Sequence, residues 1–111
     1  MVKKDPDQIR IYHILRAIKE IKNFSKGTSR SKLEKDRMLT LAVIKELEII
    51  GEAASQLSTQ FRVRHAEIPW SLIIGMRNRL IHGYFDIDLD LVWNTIRGDL
   101  PALEKMISKL K

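Results

Sequence analysis

Apolar residues recur at three- and four-residue steps along almost the whole chain, and strict two-residue alternation is nearly absent. That spacing gathers side chains on one face of a helix and predicts an all-helical protein. Asp5-Pro6-Asp7-Gln8 reads as a helix start: Asp5 can cap, Pro6 suits the first helical position, and Gln8 can complete a capping box. The stripe Ile11, Leu15, Ile18, Ile21 follows, and the helix is expected to end near Phe24, before the turn over residues 25–29. Ser31 and Glu34 have capping-box spacing and open a long apolar-rich stretch. It carries Met38, Leu41, Ala42, Leu47, Ile50, Ala54 and Leu57 and runs to about Phe61 without a proline, which predicts one long helix. Gly51, Ala53, Ala54 and Ser55 make a small-residue patch where another backbone can come close.

A connection over residues 62–68 leads to a third helix, with Pro69 in its first turn and Trp70, Ile73, Ile74 and Leu80 as apolar contacts. Gly83 is expected to stop it. A fourth helix, capped by Asp88 or Asp90, presents Val92, Ile96, Leu103 and Ile107. Pro101 interrupts it, so a kink or two consecutive helices are expected near Gly98-Asp99. The fold class is therefore all-α, an antiparallel bundle of four to five helices, with residues 1–111 as one domain.

Composition narrows the chemistry. Cysteine is absent, which excludes disulfides, thiolate metal sites and a Cys nucleophile. No apolar run approaches a membrane span and the N-terminus lacks the apolar stretch of a secretion signal, so a cytoplasmic protein with no membrane partner is expected. Twenty basic residues face fourteen acidic ones, for a net charge of +6. The charge is polarised: residues 19–37 hold seven basic and three acidic residues, residues 86–104 one basic and five acidic. A basic surface of this kind favours a polyanionic partner through counterion release. Lys26, Arg30 and Arg79 are named as candidate contacts to an RNA backbone, against the alternative of ordinary solvated faces.

The chemistry is concentrated in Arg77-Asn78-Arg79-Leu80-Ile81-His82-Gly83-Tyr84. On a continuous helix, Ile73, Arg77 and Leu80 share a face, so Arg77 stands in line with core positions and calls for a partner or a cleft. Ser71, Gly75, Asn78 and His82 make a polar stripe beside it, with Asn78 and His82 stacked four apart. RNA can be cut without metal when the ribose 2′-hydroxyl attacks the neighbouring phosphorus. A histidine titrating near neutrality moves the proton, and an arginine holds the phosphate through paired hydrogen bonds. Asn78 can orient the histidine or touch the phosphate. One copy of the segment supplies one histidine where the reaction wants both base and acid, so two copies about a two-fold axis make a reasonable site.

The run from Arg77 to Tyr84 resembles the R-x4-H-x-Y pattern of HepT-type toxins in the HEPN superfamily. The likeness continues in Glu46-Leu47-Glu48-Ile49-Ile50-Gly51-Glu52-Ala53-Ala54, in Ile68-Pro69-Trp70, in Ile74-Gly75-Met76-Arg77-Asn78 and in Leu89-Asp90-Leu91-Val92-Trp93. The resemblance implies a helical bundle that dimerises and brings two motifs into one cleft. It implies a metal-independent RNA endonuclease acting as a toxin, with Arg77 and His82 as the catalytic pair and Asn78 as the polar residue following the arginine. It also implies a nucleotidyltransferase antitoxin, MntA, that transfers AMP onto the motif tyrosine, here Tyr84. No metal or other cofactor is expected; Asp86, Asp88 and Asp90 read as caps, because no calcium-loop glycine and distal glutamate follow them. His13 and His65 read as surface or packing residues, and Trp70 and Trp93 as core or interface anchors. Two other readings stand beside the ribonuclease. One is a non-catalytic module that partners a nucleotidyltransferase or holds nucleotide or RNA; the other is a purely structural dimerisation bundle.

Overall fold

A computed structural model describes residues 5–82 and 86–110, with His82 through its main chain only. Helix α1 (Pro6–Phe24) begins where proline and aspartate direct it: Asp5 accepts from the Asp7 amide at 2.9 Å. Gln8 does not close the capping box; its amide donates to the Leu110 carbonyl at 3.0 Å and ties the first helix to the last. Ile11, Ile14, Ile18 and Ile21 are fully buried, each worth roughly 1.5–3 kcal/mol against exposure.

The long second helix is three helices: α2 (Arg30–Lys35), α3 (Arg37–Ser55) and α4 (Thr59–Arg64). Ser29 caps α2 through the Lys32 amide at 3.1 Å, so Ser31 is not the cap, and Glu34 reaches Arg30 at 3.5 Å instead. Asp36 accepts from the Leu39 amide at 2.9 Å and starts a new helix where propensity alone continues the old one. The break resets the helical phase. Thr40, Val43, Ile44, Leu47, Ile50, Gly51 and Ala54 face inward, while Met38, at 79% exposure, and Leu41, at 45%, point out and are not core residues. Thr40 is buried because its hydroxyl donates to the Leu33 carbonyl at 2.9 Å. Ser58 caps α4 and donates to Asp7 at 2.7 Å, so the end of α3 meets the start of α1 and the two run antiparallel.

The third helix is broken as well. Helix α5 (Trp70–Ile74) gives way at Gly75 to α6 (Met76–Leu80). The Asn78 amide donates to the Gly75 carbonyl at 3.2 Å, a tighter turn than the α-helical bond to Ile74. Ile73 and Ile74 present their carbonyls to α3 at Gly51, where a built Cβ would lie 3.3 and 3.2 Å from those oxygens. Gly51 of the small-residue patch thus allows a close backbone approach.

Helix α6 stops at Leu80, three residues before Gly83. Strand β1 (Ile81–His82) pairs antiparallel with β2 (Asp86–Ile87), Ile81 opposite Ile87 and His82 opposite Asp86. These two-residue strands are the only ones among the described residues, and they depart from the expectation of none. The pairing is held from behind, since the Asp88 amide donates to the Leu80 carbonyl at 2.8 Å. Asp88, rather than Asp90, caps α7 (Leu89–Asn94) at the Leu91 amide.

A π-helical turn (Thr95–Asp99) joins α7 to α8 (Leu100–Ser108). The Leu100 amide reaches back five residues to Thr95. Pro101 has no N–H for the Arg97 carbonyl, and the wider turn carries its ring past that oxygen, so the expected interruption is a π-bulge. Val92, Leu103 and Ile107 are buried and Ile96 half-buried. The fold is the expected all-α bundle, with one small β-ladder added at the end of α6. No helix of the described residues is long and apolar enough to cross a membrane.

Candidate active site

An open groove of about 520 Å³ runs along the outer face of α3. Arg10 and His13 of α1 form one wall, Ile74, Arg77 and Asn78 the other, and Lys45, Glu48, Ile49 and Glu52 lie between them. Its position follows from the fold: Gly51 draws α5 down onto α3, and the turn at Gly75 swings α6 so that Met76 and Leu80 enter the core.

That turn also moves Arg77. The buried line is Trp70, Ile73, Met76 and Leu80, and Arg77 stands beside it, its side chain 50% exposed. It is therefore not an odd charge in a core line. Its partner is Glu48: Nε donates to Oε1 at 2.6 Å, while the other carboxylate oxygen lies 3.8 Å from Lys45 Nζ. Holding a guanidinium by its Nε edge leaves the terminal amino groups available to an anion in the groove.

Of the residues singled out from sequence, Arg77 and Asn78 meet on this wall. His82 is no longer on their helix, because extended backbone at Ile81 precedes it. The stacking of Asn78 beneath His82 and the polar stripe through both depended on a helix that ends at Leu80. The His82 side chain, Gly83 and Tyr84 lie outside the described residues. Arg79 is exposed and lies over Gly75 rather than in the groove. Arg30 is engaged elsewhere: Asp90 accepts from its Nε at 2.7 Å, which raises its pKa above the ordinary value, with Glu34 adding to the effect. Lys26 sits exposed in the turn after α1, remote in the fold from the groove.

Sequence reasoning missed Arg10, His13, Lys45 and Glu48. His13, expected at the surface or in packing, is half-buried in the groove wall. Lys45, Glu48 and Glu52 are spaced for one helix face, a signal present in the sequence. The partner of Glu48, twenty-nine residues away, has no local signature. His65 does pack, its ring 4.6 Å from that of Phe61. Trp70 is a core anchor that donates to the His65 carbonyl at 3.1 Å, and the half-buried Trp93 carries the Arg97 guanidinium 5.4 Å above its ring.

A second acidic feature lies between α1 and α3. Glu46 is only 7% exposed, and its Oε2 has no hydrogen-bond partner among the described residues. Burial, then a hydrogen bond to Glu20 and that residue's negative charge, lift its pKa to about 7, while Arg16 pulls the other way. Among the described residues no three His, Cys, Asp or Glu side chains are grouped so as to hold a metal ion.

The family model described as Ribonuclease HepT-like matches residues 14–110, which takes in Glu48, Arg77, Asn78, His82 and Tyr84. The chain belongs to the HepT-like ribonuclease family of the HEPN superfamily. Among curated proteins, the chain is 41% identical to one from Caldanaerobacter subterraneus subsp. tengcongensis named “Putative RNase”, over 88% of each chain. It is 38% identical to the “Probable ribonuclease HepT” of Thermococcus cleftensis, over 88% of this chain and 89% of that one. A “Putative RNase” of Methanocaldococcus jannaschii is 36% identical, over 87% and 89%. No solved structure matches. Arg10 and His13, on the α1 wall, precede the residues that the HepT-like model covers.

Proposed function

We propose that the chain is a metal-independent RNA endonuclease and the toxin of a toxin–antitoxin pair. The observation that carries this reading is Arg77: in a HepT-like chain, it stands half exposed on a groove wall beside Asn78, held through Nε by Glu48 and with no second partner among the described residues. In the reaction, the ribose 2′-oxygen attacks the adjacent phosphorus and the 5′-oxygen leaves, giving a 2′,3′-cyclic phosphate and a 5′-hydroxyl end. Arg77 stabilises charge on the five-coordinate phosphorus. His82 takes the 2′-hydroxyl proton or delivers one to the leaving oxygen. Asn78, on the same groove wall as Arg77, contacts the phosphate. Two copies about a two-fold axis supply base and acid together, so the active unit is a homodimer. Control comes from a nucleotidyltransferase antitoxin: the Tyr84 phenol oxygen attacks the α-phosphorus of ATP, pyrophosphate leaves, and the added AMP blocks the cleft.

Purified protein incubated with total RNA in a chelator tests this directly. Cleavage is expected to persist in the chelator and to fall by at least about 100-fold in Arg77→Ala and in His82→Ala, with circular dichroism unchanged. Full activity in a folded His82→Ala protein would reject the mechanism. RNA bound but left intact by the wild type would favour the non-catalytic module.

A further inference from the structure

Glu48 is one of the groove residues that neither the motif nor the family match assigns a role. Its Oε1 accepts from Arg77 Nε at 2.6 Å, and its other oxygen lies 3.8 Å from Lys45 Nζ. The carboxylate is 31% exposed, the arginine 50% and the lysine 70%, so Glu48 is the most sheltered of the three. It projects from α3, the longest helix against which α6 packs, whereas Arg77 rides on a five-residue helix between a glycine turn and a two-residue ladder. An exposed arginine on so short an element is otherwise free to sample many rotamers.

We infer that Glu48 is a positioning residue for the proposed cleavage: it anchors the Arg77 guanidinium by its Nε edge to the rigid α3 scaffold and so aims the two terminal amino groups at a phosphodiester in the groove. The inference rests on the ribonuclease reading above. Chemically the division of labour is ordinary: a fork that donates to a phosphate through Nη1 and Nη2 needs an acceptor behind Nε to fix its plane. The same carboxylate lies 3.8 Å from Lys45 Nζ, a second cation lining the groove.

The test compares Glu48→Ala, Glu48→Gln, Arg77→Ala and the double variant Glu48→Ala/Arg77→Ala, each checked for an unchanged melting temperature. Glu48→Ala is expected to lower kcat on a single-stranded RNA by on the order of 10–100-fold, with a smaller change in KM. Glu48→Gln keeps an acceptor for Nε–H and is expected to recover most of the loss. The double variant is expected to be no slower than Arg77→Ala, because Glu48 acts only through that arginine. Additive losses overturn the inference, as does a faster Glu48→Ala protein, which would make the ion pair an inhibitory contact. Binding of a 2′-O-methyl oligoribonucleotide, which cannot be cut, provides a readout independent of cleavage. Removing a negative charge from a basic groove attracts RNA by itself. Weaker binding by Glu48→Ala, and no such weakening in an Arg77→Ala background, therefore supports positioning; tighter binding overturns it. A wild-type protein that binds but does not cut refutes the ribonuclease reading, and the binding cycle still decides the role of Glu48.

Discussion

Glu46 offers a measurement in which the sign, as well as the size, is set by the structure. The carboxyl is 7% exposed, faces Glu20 and leaves one oxygen without a partner among the described residues; Arg16 is the opposing charge that acts on it. Its pKa rises from 4.5 to about 7 on folding. Below pH 4.5 both the folded and the unfolded chain hold the proton, and the contribution is constant. Between 4.5 and about 7 the folded chain keeps a proton that the unfolded chain has released, so stability falls as pH rises. Above about 7 the loss is complete. At roughly 1.4 kcal/mol per unit, the span corresponds to about 3 kcal/mol. Glu46→Gln keeps the shape and removes the titration. The two proteins are expected to melt together near pH 4.5 and to diverge by on the order of 10 °C at pH 8, the Gln variant being the more stable. Scanning calorimetry from pH 4.5 to 8 measures the difference, in which titrating groups remote from Glu46 cancel while the neighbouring Glu20 titrates together with it. Parallel curves for the two proteins would show that Glu46 is not buried against Glu20 as described.

Gly51→Val places carbon against the Ile73 and Ile74 carbonyls, where even a Cβ lies at 3.3 and 3.2 Å. It is expected to cost about 1–3 kcal/mol in urea unfolding, and to weaken RNA cleavage because α5 and α6 carry Arg77. Tyr84→Phe removes the phenol oxygen that the proposed antitoxin modifies. Intact-mass measurement after co-expression with the nucleotidyltransferase is expected to show added AMP on the wild type and none on the variant; AMP on Tyr84→Phe moves the modification elsewhere.

Much of the helical framework was legible because its signals are local. Asp5-Pro6 starts α1, Asp88 caps α7, and Pro101 forces the last helix to widen, each through bonds within a few residues. The period of the apolar residues found Ile11, Ile18 and Ile21 in α1 and Leu103 and Ile107 in α8 for the same reason, though it named the half-buried Leu15 in place of Ile14. The motif was legible too, since Arg77, Asn78, His82 and Tyr84 are a pattern in one short run.

What the sequence by itself determined, then, was an all-helical chain and the residue types available for chemistry. Tertiary structure decided the phase of the helices and hence what the residues face. Asp36 had two local options, to continue a helix or to cap one, and packing of α3 on α1 selects the cap. At Gly75 the close approach to Gly51 makes the turn, takes Arg77 off the core line and brings it to Glu48. At Ile81 pairing with Ile87 replaces another helical turn and takes the His82 main chain off the helix that carries Asn78. Helical periodicity holds only while the helix is unbroken. Each break here depends on a contact with a different part of the chain, which a local reading of propensity does not contain.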